Sequence, residues 1–135
     1  MSRKKKQFEL TPQTFVLSEN DVEHECLQTL MLRGYYPVRL HAGKFRTLDG
    51  KRFITGVPVG TPDYVAIHRS FPGFFLETKA KKGSLEESQR IMLRDLSLGY
   101  KLAVCVARSA AELRDWLARH EAGHGFIVTT SSKGN

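Results

Sequence analysis

A chain of 135 residues, of which 41% are hydrophobic, can bury one core but not two, so one globular domain is predicted. Its formal net charge of +7 favours a polyanionic partner, either nucleic acid or an anionic membrane surface. No apolar run approaches the ~20 residues of a membrane-spanning helix, and the basic N-terminus lacks the apolar segment of a secretion signal, so we expect a cytoplasmic protein. Cys26 and Cys105 lack the paired spacing of a zinc site and are predicted to be buried and reduced.

Both ends of the chain are predicted to be tails. Residues 1–17 begin with the basic run Arg3 to Lys6 and show no clear periodicity, which predicts a flexible tail with a short docking segment. This tail is either a solubilising end or a non-specific phosphate contact. One domain is predicted for residues 18–120, and a flexible tail rich in Gly, Ser and Thr for residues 121–135.

The first predicted element is a helix. Ser18 and Asp21 have the spacing of a capping box, and the helical pattern of residues 19–33 ends before Gly34. Glu23 shares a stripe of this helix with core leucines. It is either a surface acid at the edge of that stripe or an inward acid with a function.

A strand and a basic hairpin are predicted next. Residues 35–40 alternate well enough for a first strand, and Asp49-Gly50 marks a tight turn inside residues 43–56. This hairpin either follows a phosphate backbone or is a solvated charged loop. The candidate DNA contacts in this part of the chain are Arg39, Lys44, Arg46, Lys51 and Arg52.

Two further strands carry the most informative residues. Residues 64–67 and 74–76 are rich in β-branched, aromatic and aliphatic residues and are separated by a Pro-Gly turn, so they predict a second hairpin. Asp63 precedes one strand, and Glu77 and Lys79 point the same way at the end of the other. Two carboxylates and an ammonium at the ends of neighbouring strands suit a hard divalent cation and a phosphate, which is nuclease chemistry.

A second helix is predicted to follow a basic turn at residues 81–83. Ser84 and Glu87 are its predicted cap, and it runs to about Leu98. Its predicted inward face comprises Leu85, Gln89, Met92, Leu93 and Leu96. Gln89 is thus a polar group facing the sheet, either a hydrogen-bonded amide at the core edge or a functional residue. Lys81, Lys82 and Ser84 join the candidate DNA contacts.

The last elements complete an α/β pattern with helices flanking a sheet. Residues 102–107 form an apolar run that predicts a strand covered on both faces. Ser109 and Glu112 predict the cap of a third helix. His120 and His124 share helical spacing but no third ligand accompanies them, so a frayed helix end is preferred to a metal site.

This order of elements resembles the PD-(D/E)XK nuclease superfamily, and within it the stand-alone VRR-NUC type, which is similar to the archaeal Holliday-junction resolvases. The likeness spans roughly residues 18–117 and is most specific from Gly60 to Gln89, where four separated features keep the order and approximate spacing of the family pattern. It implies a restriction-endonuclease-like core, with a mixed central sheet flanked by helices in the order α-β-β-β-α-β and an extra C-terminal helix.

The resemblance also implies roles for individual residues. Asp63 and Glu77 correspond to the metal-binding acids, and Thr78 offers its main-chain carbonyl as a ligand. Lys79 corresponds to the catalytic lysine and Gln89 to the glutamine of the following helix. The implied cofactor is Mg²⁺, for which Mn²⁺ is expected to substitute. Glu23 lies in the place of the first-helix acid that completes the metal and catalytic set, and Glu19, one turn earlier, remains its competitor.

The activity expected from these residues and this resemblance is a metal-dependent DNA endonuclease that cleaves branched DNA such as Holliday junctions. Two symmetric incisions of a junction imply a homodimer. The alternatives are a flap, end or duplex nuclease of the same fold, and a non-catalytic nucleic-acid-binding module. A small stand-alone domain of this kind is also compatible with a phage origin.

Overall fold

The computed structural model describes residues 17–133, without the side chains of residues 44, 45 and 124–133. Residues 1–16 of the predicted N-terminal tail lie outside the described part of the chain. The helices are α1 (Glu19–Leu32), α2 (Glu87–Arg94) and α3 (Ala110–Lys133), and the strands are β1 (Tyr36–Arg39), β2 (Lys44–Arg46), β3 (Phe53–Thr55), β4 (Tyr64–Ile67), β5 (Phe74–Thr78) and β6 (Val104–Ala107).

An open four-stranded sheet forms the centre of the protein, with the strand order β1-β4-β5-β6. The first three strands are antiparallel neighbours, whereas β6 runs parallel to β5. A parallel pair needs a crossover connection, which α2 supplies. The described residues therefore form an α/β protein with a mixed sheet and three helices, as the sequence predicts at this level.

Helix α1 begins and ends where its local signals predict. The Ser18 hydroxyl accepts a hydrogen bond from the Asp21 N–H, and the Asp21 carboxylate accepts one from the Ser18 N–H. After the helix, Gly34 has a φ of +87°, a left-handed conformation that glycine adopts without a steric cost. The capping box and the terminal glycine of the prediction are confirmed.

The core lies between one face of the sheet and the helices α1 and α3. Strands β4, β5 and β6 turn alternate side chains towards these helices. The buried hydrophobic residues are Val22, Cys26, Leu30, Tyr35, Tyr64, Ala66, Phe74, Leu76, Cys105, Ala107, Leu113 and Leu117. The predicted burial of both cysteines is confirmed, and burial raises the pKa of the Cys26 thiol to about 11.

The opposite face of the sheet is only partly covered, by α2. Burial alternates along β6, because Cys105 and Ala107 are buried while Val104 and Val106 are half-buried. The predicted cover of this strand is therefore confirmed on one face and is only partial on the other. Helix α2 contains no fully buried residue, because one short helix cannot enclose this side of the sheet.

Two helix boundaries differ from the prediction. Helix α2 begins at Glu87 with Glu86 as its N-cap residue, so the predicted Ser84 cap is wrong. A π-helical turn, Asp95–Gly99, continues α2 to its end near the predicted position. Helix α3 runs on to Lys133, so the prediction of a flexible tail from residue 121 is wrong for residues 121–133. At the start of this helix the Ser109 hydroxyl accepts a hydrogen bond from the Glu112 N–H at 3.1 Å, which confirms the predicted cap.

The predicted basic hairpin is a separate two-stranded sheet. Strands β2 and β3 pair antiparallel, with Arg46 opposite Phe53 next to the turn. Gly50 in that turn has a φ of +73°, as the Asp-Gly signal predicts. Among the helices of the described chain, none is long and apolar enough to span a membrane.

Candidate active site

Asp63 and Glu77 meet at the end of two paired strands. Tyr64 is the register partner of Leu76 in the antiparallel pair of β4 and β5. Continuing this register by one residue pairs Asp63 with Glu77. Asp63 Oδ2 accepts hydrogen bonds from the N–H and the hydroxyl of Thr78, each at 3.3 Å. Thr78 thereby orients the Asp63 carboxylate, a role that the sequence did not indicate.

Glu77 is a buried acid with an unfavourable environment for its charge. The residue is only 2% exposed. Burial and then the charge of Asp63 raise the pKa of Glu77 to about 7, while Lys79 and a backbone hydrogen bond from Asp63 oppose this rise. A carboxylate held next to a second carboxylate in low dielectric is a functional-site signature, because folding alone does not require it.

Lys79 and Gln89 both approach the same oxygen of Glu77. Lys79 Nζ lies 3.8 Å from Glu77 Oε2, and the Lys79 side chain is 12% exposed. Gln89 Nε2 donates to that oxygen at 3.0 Å, and Gln89 Oε1 accepts the Glu86 N–H at 2.9 Å. The start of α2 therefore orients the Gln89 side-chain amide, whose nitrogen donates a hydrogen bond to Glu77. The sequence placed Gln89 towards the sheet but did not indicate this second bond.

Gly60 allows the Asp63 segment and α2 to come this close. Its φ is +94°, and a Cβ atom built there would lie 2.4 Å from the carbonyl oxygen of Ser88. Real Cβ contacts are never that short, so only glycine fits against the first turn of α2. The glycine of the Gly-Thr-Pro-Asp segment thus packs the loop before Asp63 against the helix that bears Gln89.

The two competing acids of α1 have different surroundings. Glu23 forms an ion pair with Arg39 and accepts a hydrogen bond from the Tyr64 hydroxyl. Arg39 also donates to that hydroxyl, at 2.8 Å. The charge of Glu19, in contrast, contributes to the raised pKa of Glu77, and Glu19 is exposed. The geometry therefore groups Glu23 with Arg39, whereas the charge of Glu19 has a small effect on the pKa of Glu77.

The other candidate DNA contacts lie around this edge of the sheet. Arg46, Lys51, Arg52, Lys81, Lys82 and Ser84 are exposed, and the side chain of Lys44 is outside the described residues. Arg108, which no sequence motif indicated, donates twice to the Gly83 carbonyl, at 2.9 and 3.3 Å. It directly follows Ala107, the register partner of Thr78, so the parallel pairing brings it to the Lys79 end of β5. Only the strand register reveals this proximity.

The donor set suits a magnesium ion. Proteins hold Mg²⁺ through one or two carboxylates, with water and substrate phosphates as the remaining ligands. Asp63 and Glu77 supply two carboxylates, and a cation between them would offset the repulsion that raises the pKa of Glu77. Within the described range, no group of three or more His, Cys, Asp and Glu residues is placed to hold a metal.

Fold and site together define an α/β protein with a mixed sheet. An acidic pair and a lysine lie where strands β4 and β5 meet, and a glutamine from α2 contacts them. A scan of protein-family models, a search of curated proteins and a search of solved structures each found no match.

Proposed function

We propose that this protein is a Mg²⁺-dependent DNA endonuclease with a restriction-endonuclease-like core of the VRR-NUC type. The observation that carries the proposal is the buried Glu77 carboxylate, which lies beside Asp63 and is approached by Lys79 and Gln89. A buried carboxylate next to a second carboxylate destabilises the fold unless a bound cation or substrate compensates its charge. The sequence resemblance and the net charge of +7 support the same activity.

Each side chain has a distinct task in phosphodiester hydrolysis. Asp63 and Glu77 bind the cation, and Thr78 fixes the orientation of the Asp63 carboxylate. Bound magnesium would lower the pKa of the attacking water and neutralise charge on the scissile phosphate. Lys79 stabilises the negative charge that develops on the phosphate oxygens. Gln89 keeps Glu77 in one orientation, because its amide is itself held by the Glu86 N–H.

The proposed substrate is branched DNA, and four-way junctions are its foremost example. A junction is resolved by two symmetric cuts, so the proposed active form is a two-fold dimer. Flaps, ends and plain duplex are alternative substrates for the same chemistry. A panel of junction, flap, nicked and linear DNA of equal length distinguishes these, since the substrate cut fastest at limiting enzyme identifies the preferred structure.

A non-catalytic nucleic-acid-binding module is the second candidate, and the exposed cations of the β2–β3 hairpin favour it. Acids facing phosphate would weaken such a module, because like charges repel without a bridging metal. Strong, salt-dependent retention of DNA without metal-stimulated turnover on any member of the substrate panel would establish this candidate instead of the nuclease.

The test of the nuclease is Asp63→Ala on a labelled four-way junction. We expect cleavage in Mg²⁺ to be lost, while binding in Ca²⁺ is retained because the hairpin cations are untouched. Asp115→Ala is the matched control, since Asp115 is an exposed acid of α3. Equal cleavage by Asp63→Ala and wild type would show a contaminating nuclease or a different active site.

A further inference from the structure

The β2–β3 hairpin rises from the same sheet edge as the candidate active site. Directly after β1, the Leu40 N–H donates to the Asp63 carbonyl at 2.8 Å. The base of the hairpin is closed by the Gly56 N–H, which donates to the Gly43 carbonyl at 2.7 Å, and by the Val57 N–H, which donates to the His41 carbonyl at 2.9 Å. The hairpin is therefore anchored next to Asp63 rather than at a distant surface.

The tip of this hairpin presents an apolar side chain to solvent. Leu48 lies in the turn and is fully exposed. The turn around it is ordered by hydrogen bonds, because the Gly50 N–H donates to the Thr47 carbonyl at 2.8 Å and the Thr47 N–H donates to the Arg52 carbonyl at 2.9 Å. Asp49 also accepts the Thr47 hydroxyl and the Lys51 N–H. Because the Leu48 side chain is fully exposed, it contributes nothing to the core.

Positive charge surrounds Leu48. Lys51 and Arg52 are exposed, and the Arg46 guanidinium lies 4.8 Å from the centre of the Phe53 ring while donating to the Gly50 carbonyl at 3.1 Å. The one acid of the tip, Asp49, is occupied by hydrogen bonds within the turn, which lower its pKa. The tip of the hairpin thus combines cations, which can bind phosphates, with the exposed apolar side chain of Leu48.

We propose that Leu48 is a wedge that the hairpin inserts between base pairs of DNA bound at the candidate active site. Apolar wedges of this kind unstack a base step and kink the duplex, while flanking cations hold the adjacent phosphates. Leu48 is the fifth residue after Gly43, and β2 supplies three of the residues between them, so an extended backbone places Leu48 at most about 16 Å from Gly43. From its anchor beside Asp63, the hairpin is therefore long enough to contact a duplex bound at the candidate active site. The location of the wedge relative to a cut rests on the proposed function.

Branched DNA is the substrate class that such a wedge selects. Insertion is least costly where stacking is already interrupted, as at a junction or a nick. An anionic membrane would also attract an apolar, basic tip. We favour DNA because the anchor of the hairpin lies beside the Asp63 and Glu77 carboxylates, which an anionic lipid surface would repel.

The experiment uses a four-way junction with 2-aminopurine next to the branch point, in Ca²⁺ so that no strand is cut. We expect wild type and Leu48→Met to raise the fluorescence on binding, because both insert an apolar side chain. Leu48→Ala should lose most of this rise and about tenfold of the preference for junction over plain duplex. Leu32→Ala is the matched control, since Leu32 is 88% exposed at the end of α1.

An equal fluorescence rise and an equal preference in Leu48→Ala would overturn the wedge, as would Leu48-dependent binding to phosphatidylserine vesicles without any effect on DNA. The experiment distinguishes failure of the wedge proposal from failure of the proposed nuclease function. Unstacking that depends on Leu48, in a protein that never cleaves in Mg²⁺, supports the wedge and rejects the nuclease. Cleavage that is indifferent to Leu48 supports the nuclease and rejects the wedge.

Discussion

At the scale of single residues, the environment of Glu77 is unfavourable for stability and suits the proposed binding of a metal ion. Its pKa is raised to about 7 by burial and by Asp63, against an ordinary value of 4.5. The folded protein therefore retains a proton that the unfolded chain releases between these pH values. Because the folded state binds more protons in this window, the free energy of unfolding falls as the pH rises through it.

Replacing the acid with its amide tests this conflict. We expect Glu77→Gln to stabilise the protein at pH 8 without metal, by up to about 3 kcal/mol, because no buried charge remains. The amide oxygen can still accept the hydrogen bond from Gln89. Thermal unfolding of both proteins at pH 8 and pH 5 measures the effect, and the difference should shrink at pH 5. A lower stability of Glu77→Gln at pH 8 would mean that the ion pair with Lys79 stabilises the fold.

The same proton competes with the cation. Below pH 7 the protonated Glu77 must lose its proton before it can bind a metal, so we expect the half-saturating Mg²⁺ concentration to rise about tenfold between pH 6 and pH 5. Above pH 8 this group should contribute no further change. The measurement is the Mg²⁺-induced shift in melting temperature across the pH range. A half-saturating concentration that does not change between pH 5 and pH 8 would exclude Glu77 as a ligand.

At the scale of elements, the site depends on the contact between the Gly60 loop and α2. The backbone of Gly60 packs on Ser88, and the same turn of α2 carries Gln89. Small displacements of a positioning group reduce rates strongly, because catalysis requires defined geometry. This contact explains why a short helix with no buried residue is nevertheless held in place beside the sheet.

Adding a methyl group at Gly60 should separate the two elements. We expect Gly60→Ala to lower kcat by about 10- to 100-fold, with a loss of stability of about 1–3 kcal/mol. The control is Gly123→Ala in α3, where a Cβ atom meets nothing within 4 Å. Single-turnover cleavage and urea unfolding measure the two effects. Wild-type cleavage by Gly60→Ala would show that the position of α2 does not matter to the chemistry.

At the scale of the whole molecule, positive charge is distributed over the edge of the sheet that carries the acids. The hairpin contributes Lys51 and Arg52, and the turn after β5 contributes Lys81 and Lys82. If the proposed function holds, these cations would attract a phosphate backbone, which the acid pair alone would repel. Binding of DNA in the absence of Mg²⁺ should therefore depend on these cations and on salt.

We expect the double variant Lys51→Gln with Arg52→Gln to reduce the slope of log K against log salt concentration by about 2, because each lost phosphate contact removes about 0.9. The control is Arg69→Gln, an exposed cation in the turn at the other end of β4 and β5. Fluorescence anisotropy with plain duplex between 50 and 200 mM salt, concentrations in the usual range for such titrations, measures the slope. An unchanged slope would place the DNA elsewhere on the protein.

The amino-acid sequence by itself determined the local features of this protein. The capping box of α1, the Asp-Gly turn and the common direction of Glu77 and Lys79 follow from neighbouring residues and from the two-residue period of a strand. These signals are local, so they can be recognised in the sequence without knowledge of the fold. The α/β class follows from their order along the chain.

Only the tertiary structure decided what depends on contacts between distant residues. It set Asp63 beside Glu77, tied Glu23 to Arg39 and Tyr64, and brought Arg108 to the turn after β5. It also began α2 at Glu87, because Gln89 bonds to both Glu86 and Glu77. Strand register and helix packing create these contacts, and no periodicity within one segment encodes a partner that lies in another.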